Sequence, residues 1–425
     1  MKKIIYFLLI SILVFNFSAL AEENLKLIGW TYEVDTWNHL LDVFEEQYGI
    51  KTDDFYNIPS DNYYEKLVAS FISGTEYDVI VVRDSNLAAW ASAGWLEPID
   101  GFEGVERYKE EIPGGALAQM SYEGQLYGLP YYAGRYVFVY NEEHLKKAGI
   151  DNPPKTWDEL LEQARIIKEK GIAEHPIIFI MTKSSNIMEN WEQLVFSRGG
   201  KLFNESHDPV FNDGDSAALE ALEWLKGAMK EGLLDQASLS STTADVNRAM
   251  AAGTRTFTLL SDYNVAQLND PESSQAAGKI KMALVPGNDK VISGTTSYIR
   301  LYCISKNSKQ KENAWKLVQF LGGRDKNDDY YTGKYWALNF GLGFVQKPLY
   351  EDKEVSDYIT KWGDPDIIKK QDEYAGATPY RFTPWFDEWQ TNAWGELQKA
   401  VLGEKPIEII LKDLEKSAKE LKADY

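Results

Sequence analysis

The chain has 425 residues, more than one hydrophobic core usually holds, since single domains divide beyond about 250 to 300 residues; two domains are expected. With 44% hydrophobic and 26% charged residues it has a globular composition, which excludes disordered, collagen-like and multi-spanning membrane chains. Its 45 basic and 65 acidic residues give a formal charge of -20, which disfavours nucleic acid and anionic lipid as partners.

Met1 to Ala21 reads as a secretory signal peptide: Lys2 and Lys3, an apolar run from Ile4 to Phe17, then Ala19-Leu20-Ala21 before the cut. The run falls short of the ~20 residues that a spanning helix needs. Glu22 follows the cut, where a lipoprotein would need cysteine, so a soluble periplasmic protein is expected. The only cysteine, Cys303, lies in an apolar stretch and reads as a core residue.

The mature chain opens with a short strand, Leu25 to Ile28, and a polar aromatic loop, Gly29 to Glu33. A helix follows, with Thr36 as N-cap, a stripe of Trp37, Leu40, Leu41, Phe44 and Tyr48, and Gly49 as terminator. A second helix from Tyr63 to Ser73 ends at Gly74, and Asp78 to Val82 is a continuous apolar run of the kind found in covered parallel strands. Strand, helix, helix, strand indicates an α/β sheet.

Gly124 to Tyr132 leads into a strand from Tyr136 to Asn141 and reads as a crossing between domains. Thr156 and Glu159 form a capping box for a helix that buries Leu160, Leu161, Ala164 and Ile167. Further helices are expected from Met188 to Ser197, Ser216 to Glu231 and Thr243 to Ala252, and strands at Ile177 to Ile180 and Phe257 to Leu260. Ile280 to Pro286 is extended, Tyr298 to Ile304 is a strand, Gln310 to Leu321 is a helix, and Pro406 to Leu421 is a closing amphipathic helix. The second domain is thus α/β as well, and without a long linker the two domains share several crossings.

No Gly-x-Ser-x-Gly elbow, phosphate loop or dinucleotide fingerprint is present. His39, His144, His175 and His207 are scattered without metal-like spacing, and the Asp208, Asn212, Asp213 and Asp215 cluster reads as helix capping. No cofactor and no metal is expected.

The aromatic content, with 13 Trp and 25 Tyr, is the conspicuous feature. Trp37, Trp157, Trp224 and Trp315 lie in or beside amphipathic helices and read as core; Trp30, Trp191, Trp336 and Trp385 lie in polar loops or near element ends. In open α/β sheets ligands bind beyond the carboxyl ends of the strands. Those ends carry Trp30 and Tyr32, then Arg83, Asp84, Ser85 and Asn86, then Asp262 and Tyr263. Aromatic rings can cover the C–H faces of a sugar while carboxylates, amides and guanidinium groups bind its hydroxyls.

The stretch Gly124 to Leu160, GQLYGLPYYAGRYVFVYNEEHLKKAGIDNPPKTWDEL, resembles the signature of the extracellular solute-binding proteins of carbohydrate ABC transporters, the maltose-binding-protein-like group. YDVIVVRDSNLAAWASAGWLEPID from Tyr77, ISKNSKQKENAWKLVQFL from Ile304 and ELQKAVLGEKPIEIILKDLEKSAKELK from Glu396 agree with it in order. The resemblance implies the type II periplasmic-binding-protein fold: two α/β lobes joined by three hinge crossings, near Tyr131 to Arg135, Leu284 to Asn288 and Lys334 to Leu338. It divides the chain into 22–131 with 286–335, and 132–285 with 336–425. Carried-over cleft positions are Trp30, Thr31 and Tyr32, then Asp84, Ser85 and Asn86, Tyr132 and Arg135, Asp262 and Tyr263, and Trp336; composition and position add Trp191 and Trp385.

The implied mechanism is hinge closure over a sugar by a monomer that delivers its ligand to inner-membrane ABC permease subunits, without catalysis. A neutral oligosaccharide is favoured. The competing readings are a secreted glycoside hydrolase and the same fold holding a peptide, a polyamine or a polyol phosphate, with Arg135 and Arg381 as anion holders or Asp84 and Asp262 as cation holders.

Overall fold

The computed structural model describes residues 23–59, 62–213, 216–376 and 378–424. The expected signal peptide and Asp215 lie outside the described residues.

The strands are β1 (Leu27–Trp30), β2 (Tyr56–Ile58), β3 (Val79–Arg83), β4 (Leu96–Glu97), β5 (Ser121–Tyr122), β6 (Gln125–Leu126), β7 (Gly128–Asn141), β8 (Phe257–Ser261), β9 (Ile280–Ala283), β10 (Thr295–Ser305) and β11 (Ala375–Gly376). The main sheet runs β2-β1-β3-β10-β7-β8, with β9 on β7 and with β4 and β11 on β10. β1 pairs with β2 and β3 in parallel, as the apolar Val79 to Val82 run requires, while β10 is antiparallel to both β3 and β7.

β7 is one 14-residue strand where the sequence suggested only Tyr136 to Asn141. Residues 128 to 135 pair with β10, and residues 136 to 141 pair with β8 and β9. That change of partner marks a change of core. Ala133 and the residues before it pack with Leu27, Trp37, Val81 and Trp315, whereas Tyr136 and Phe138 pack with Trp157, Trp191, Phe257 and Trp389. β10 passes between the same cores, with Tyr298 in the second and Ile299 in the first. Trp336 and Leu342 also belong to the first core; the chain then crosses a small cluster of Phe344, Leu349 and Val355 and rejoins the second core at Tyr380.

Local rules explain most helix ends. Gly49 and Gly74 close their helices in the left-handed conformation, and Thr156 accepts from the Glu159 backbone N–H at 3.1 Å. Two expectations change. The first long helix begins at Val34 because Glu33, at φ 45°, supplies the turn, which leaves Thr36 inside the helix. Ile177 to Ile180 is extended but makes only isolated bridges, from Ile177 to Leu234 and to Phe257, and forms no strand of its own.

The crossing strands approach closely at Gly134. A Cβ there would stand 2.3 Å from the Tyr298 hydroxyl, which donates to Ser261 Oγ at 2.8 Å. Gly134→Ala is therefore expected to lower stability by about 1–3 kcal/mol through overpacking, read as a lower urea midpoint with unchanged slope.

Candidate functional site

β3 ends at Arg83, and the helix Asp84–Ser92 begins at the next residue, so Asp84, Ser85 and Asn86 occupy a first helical turn at a strand's carboxyl end. The Asp84 carboxylate is fixed by three donors: the Ser85 N–H at 2.8 Å, the Ile299 N–H at 2.7 Å and Arg300 Nη1 at 2.9 Å. Opposite stands the helix Phe386–Leu402, which turns Asp387, Gln390, Thr391 and Trp394 to one side at helical spacing. Between them is a cavity of about 730 Å³.

Both cores contribute to its wall. The first supplies Tyr64, Glu65, Arg83 and the Asp84 to Asn86 turn; the second supplies Ser184 to Asn186, Glu189, Tyr263, Asn264, Arg381 and the helical row. The floor is formed by the two crossing strands through Tyr132, Tyr136, Tyr298 and Arg300. Their neighbours Ala133, Arg135, Ser297 and Ile299 face a second, largely apolar cavity of about 330 Å³ behind the strands. Alternation along a strand explains the division.

The electrostatics of the wall are mostly settled within it. Burial works against the Arg300 charge, but Asp84 together with Tyr132, Tyr298 and Glu189 outweighs it and holds the guanidinium above its usual pKa. Arg381 is bound through two nitrogens to the fully buried Glu192, which also accepts from the Tyr380 hydroxyl at 3.0 Å. Glu189 accepts from the Tyr136 hydroxyl and lies 3.9 Å from Arg381. Asp387 accepts from Gln390 at 2.6 Å and, across the cleft, from Asn86 Nδ2 at 3.3 Å. Burial raises the Asp387 pKa against the pull of these two donors and of Arg83.

Of the residues proposed from sequence, Asp84, Ser85, Asn86, Tyr132 and Tyr263 line this cavity. The others are elsewhere, for identifiable reasons. Arg135 is on the opposite side of β7, buried in ion pairs with Asp262 at 2.7 Å and Asp372 at 2.5 Å, which also removes Asp262. Trp191 packs on Phe211, Trp385 on Phe203 and Trp336 on Trp37, each at most 4% exposed. Tyr32 stacks on Trp336, Thr31 Oγ1 donates to Asn57, and Trp30 packs on Tyr63 with Arg83 over its ring.

Sequence reasoning missed Glu189, Arg300, Asp387, Gln390 and Trp394 as wall residues. Arg300 carried a signal, as a charged residue within the otherwise apolar run Tyr298 to Ile304.

A two-core α/β chain with a polar, tyrosine-floored cavity between the cores is the architecture of a ligand receptor. The family model for bacterial extracellular solute-binding proteins matches residues 30–328. The chain belongs to that family. A putative binding protein of Brucella abortus is 26% identical over 363 residues, covering 85% of this chain and 83% of the relative. A lactose-binding protein of Rhizobium radiobacter is 22% identical over 372 residues, covering 83% of this chain and 80% of the relative. Maltose-bound MalE3 of T. maritima superposes with a TM-score of 0.81 at 22% identity, covering 95% of this chain and 100% of that one, and shares the two-lobe fold.

The core positions of the tryptophans make a direct prediction. Trp191→Ala and Trp336→Ala are each expected to lose about 3–5 kcal/mol of stability in chemical denaturation, the cost of a large buried cavity.

Proposed function

We propose that this solute-binding protein works in the periplasm as a carbohydrate receptor that closes around its ligand and delivers it to ABC permease subunits in the inner membrane. The observation that carries the reading is the cavity wall, where aromatic groups from both cores, including Tyr64, Tyr132, Tyr263, Tyr298 and Trp394, alternate with amides and charged groups. We take the lobes as outlined from sequence but with the boundaries moved at the crossings: Ala133, Trp336 and Leu342 pack with the first core, and Gly294, Thr295, Thr296 and Tyr298 pack with the second. The axis of closure is β7 with β10, which both cores share, and the segment after Leu342 is the third crossing between the lobes.

An oligosaccharide suits the dimensions. The cavity is in the upper part of the ~300–1,000 Å³ range of small-molecule sites. Its helical wall from Asp387 to Trp394 extends roughly 10 Å at 1.5 Å per residue, longer than a single pyranose ring. A lactose-binding relative and a maltose-bound structural neighbour support this class. The protein breaks no bond: ligand selects the closed form because only there do both lobes touch it.

Mass spectrometry of ligand released from gently purified protein, followed by thermal shift with mono- and oligosaccharides, tests the reading. A bound sugar at a hundred times its Kd contributes about 2.7 kcal/mol, so the transition is expected to rise with oligosaccharides. A rise with peptides or polyamines alone would refute the carbohydrate assignment, and sustained turnover of the oligosaccharide would refute the binding role.

A further inference from the structure

Arg83 and Arg300 are directly opposite one another on the antiparallel strands β3 and β10, and both side chains line the cavity. Like charges in that register are destabilising. Arg300 is compensated by Asp84 at 2.9 Å and lies 4.6 Å from the Tyr298 ring centroid. The Arg83 side chain has no hydrogen-bond acceptor and no ion-pair partner in contact among the described residues; it lies against the Trp30 ring, 5.7 Å away, and Glu189 and Asp387 attract it only at longer range. Burial, and then Arg300, lower the Arg83 pKa, yet a guanidinium stays protonated in water, so a partly desolvated charge with no counter-ion in contact remains.

The carboxylates around it attract it from a distance, but none is in contact with it. Glu189 is engaged by Tyr136 and Arg381, and Asp387 by Gln390 and Asn86; Glu65, also on the wall, makes no ion pair with Arg83. These acceptors suit the hydroxyl donors of a sugar. The donor fork of Arg83 suits a planar or tetrahedral anion, which it can hold through two parallel N–H bonds.

We infer that the ligand is an acidic saccharide, whose carboxylate or phosphate group sits against Arg83 with Arg300 beside it while its hydroxyls meet the carboxylates and amides of the wall. This rests on the carbohydrate reading above and departs from the neutral sugar favoured by sequence. The net acidity of the chain does not oppose it, because an anion in the cavity is governed by the groups that touch it, and distant surface charges are screened within about a Debye length.

The test is calorimetric titration of the mature protein and of Arg83→Gln with matched pairs: galacturonate against galactose, digalacturonate against galactobiose, and glucose 6-phosphate against glucose. An acidic member is expected to bind about tenfold or more tightly than its neutral partner. The uronates and the phosphate separate the two possible anions. Arg83→Gln should abolish that preference by weakening the acidic member at least about tenfold more than its neutral partner, Arg83→Lys should retain part of it, and Arg83→Gln should raise the ligand-free melting temperature by relieving the opposed charges. Neutral members binding as tightly as acidic ones, equal weakening of both members by Arg83→Gln, or a lower ligand-free melting temperature would each overturn the inference. If neutral sugars bind and acidic ones do not, the inference fails alone; if no saccharide of either kind binds, the carbohydrate reading fails with it.

Discussion

The antiparallel pairing of β7 with β10 is the constraint from which the rest of the molecule follows. Each strand is longer than either core requires, and each exchanges one core for the other part-way along its length. Because side chains alternate across a strand, the same ladder that joins the lobes also divides residues between a polar cavity in front and an apolar cavity behind. Tyr132 and Arg300 therefore face the polar cavity, whereas Ala133 and Arg135 face the apolar one. At Gly134 only a residue without Cβ fits against the Tyr298 ring. In the proposed closure, a rotation about these strands would move the cavity walls while leaving both cores packed.

The cavity shows how such a site holds charge away from water. Asp84 with Arg300 and Glu192 with Arg381 are compensated in place, so they stiffen the wall and cost little further when the cleft closes. Asp387 reaches across to Asn86, joining a helix of the second core to the first turn after β3. Arg83 differs in having no carboxylate in contact among the described residues, a local departure of the kind found at functional sites.

Much of the architecture was legible in the sequence because it is written in local patterns. The Tyr63–Ser73 helix, the buried strand after Asp78 and the Thr156 cap depend on periodicity and capping, which a single chain displays openly. The family signature added the two-lobe arrangement. The site was only partly legible. Asp84, Ser85 and Asn86 could be found because a strand end is a local feature, but Asp387 joins them from 301 positions along the chain from Asn86, through tertiary packing that no local pattern encodes. Tryptophans misled for a related reason. Trp191 has polar neighbours in sequence, yet its helix turns Asn186 and Glu189 to the cavity and Trp191 to the core. Arg135 misled by register, since a one-residue step along β7 exchanges the ligand side for the rear.

The central claim is that ligand draws two lobes together about β7 and β10. It is tested most directly by distance measurement between spin labels at Ile72 and Arg248, exposed positions on helices whose first turns flank the cavity from opposite cores. The buried Cys303 would not compete for label. Adding a saccharide that binds should shift the distance distribution to shorter values and narrow it. An identical distribution with and without bound saccharide would contradict the account.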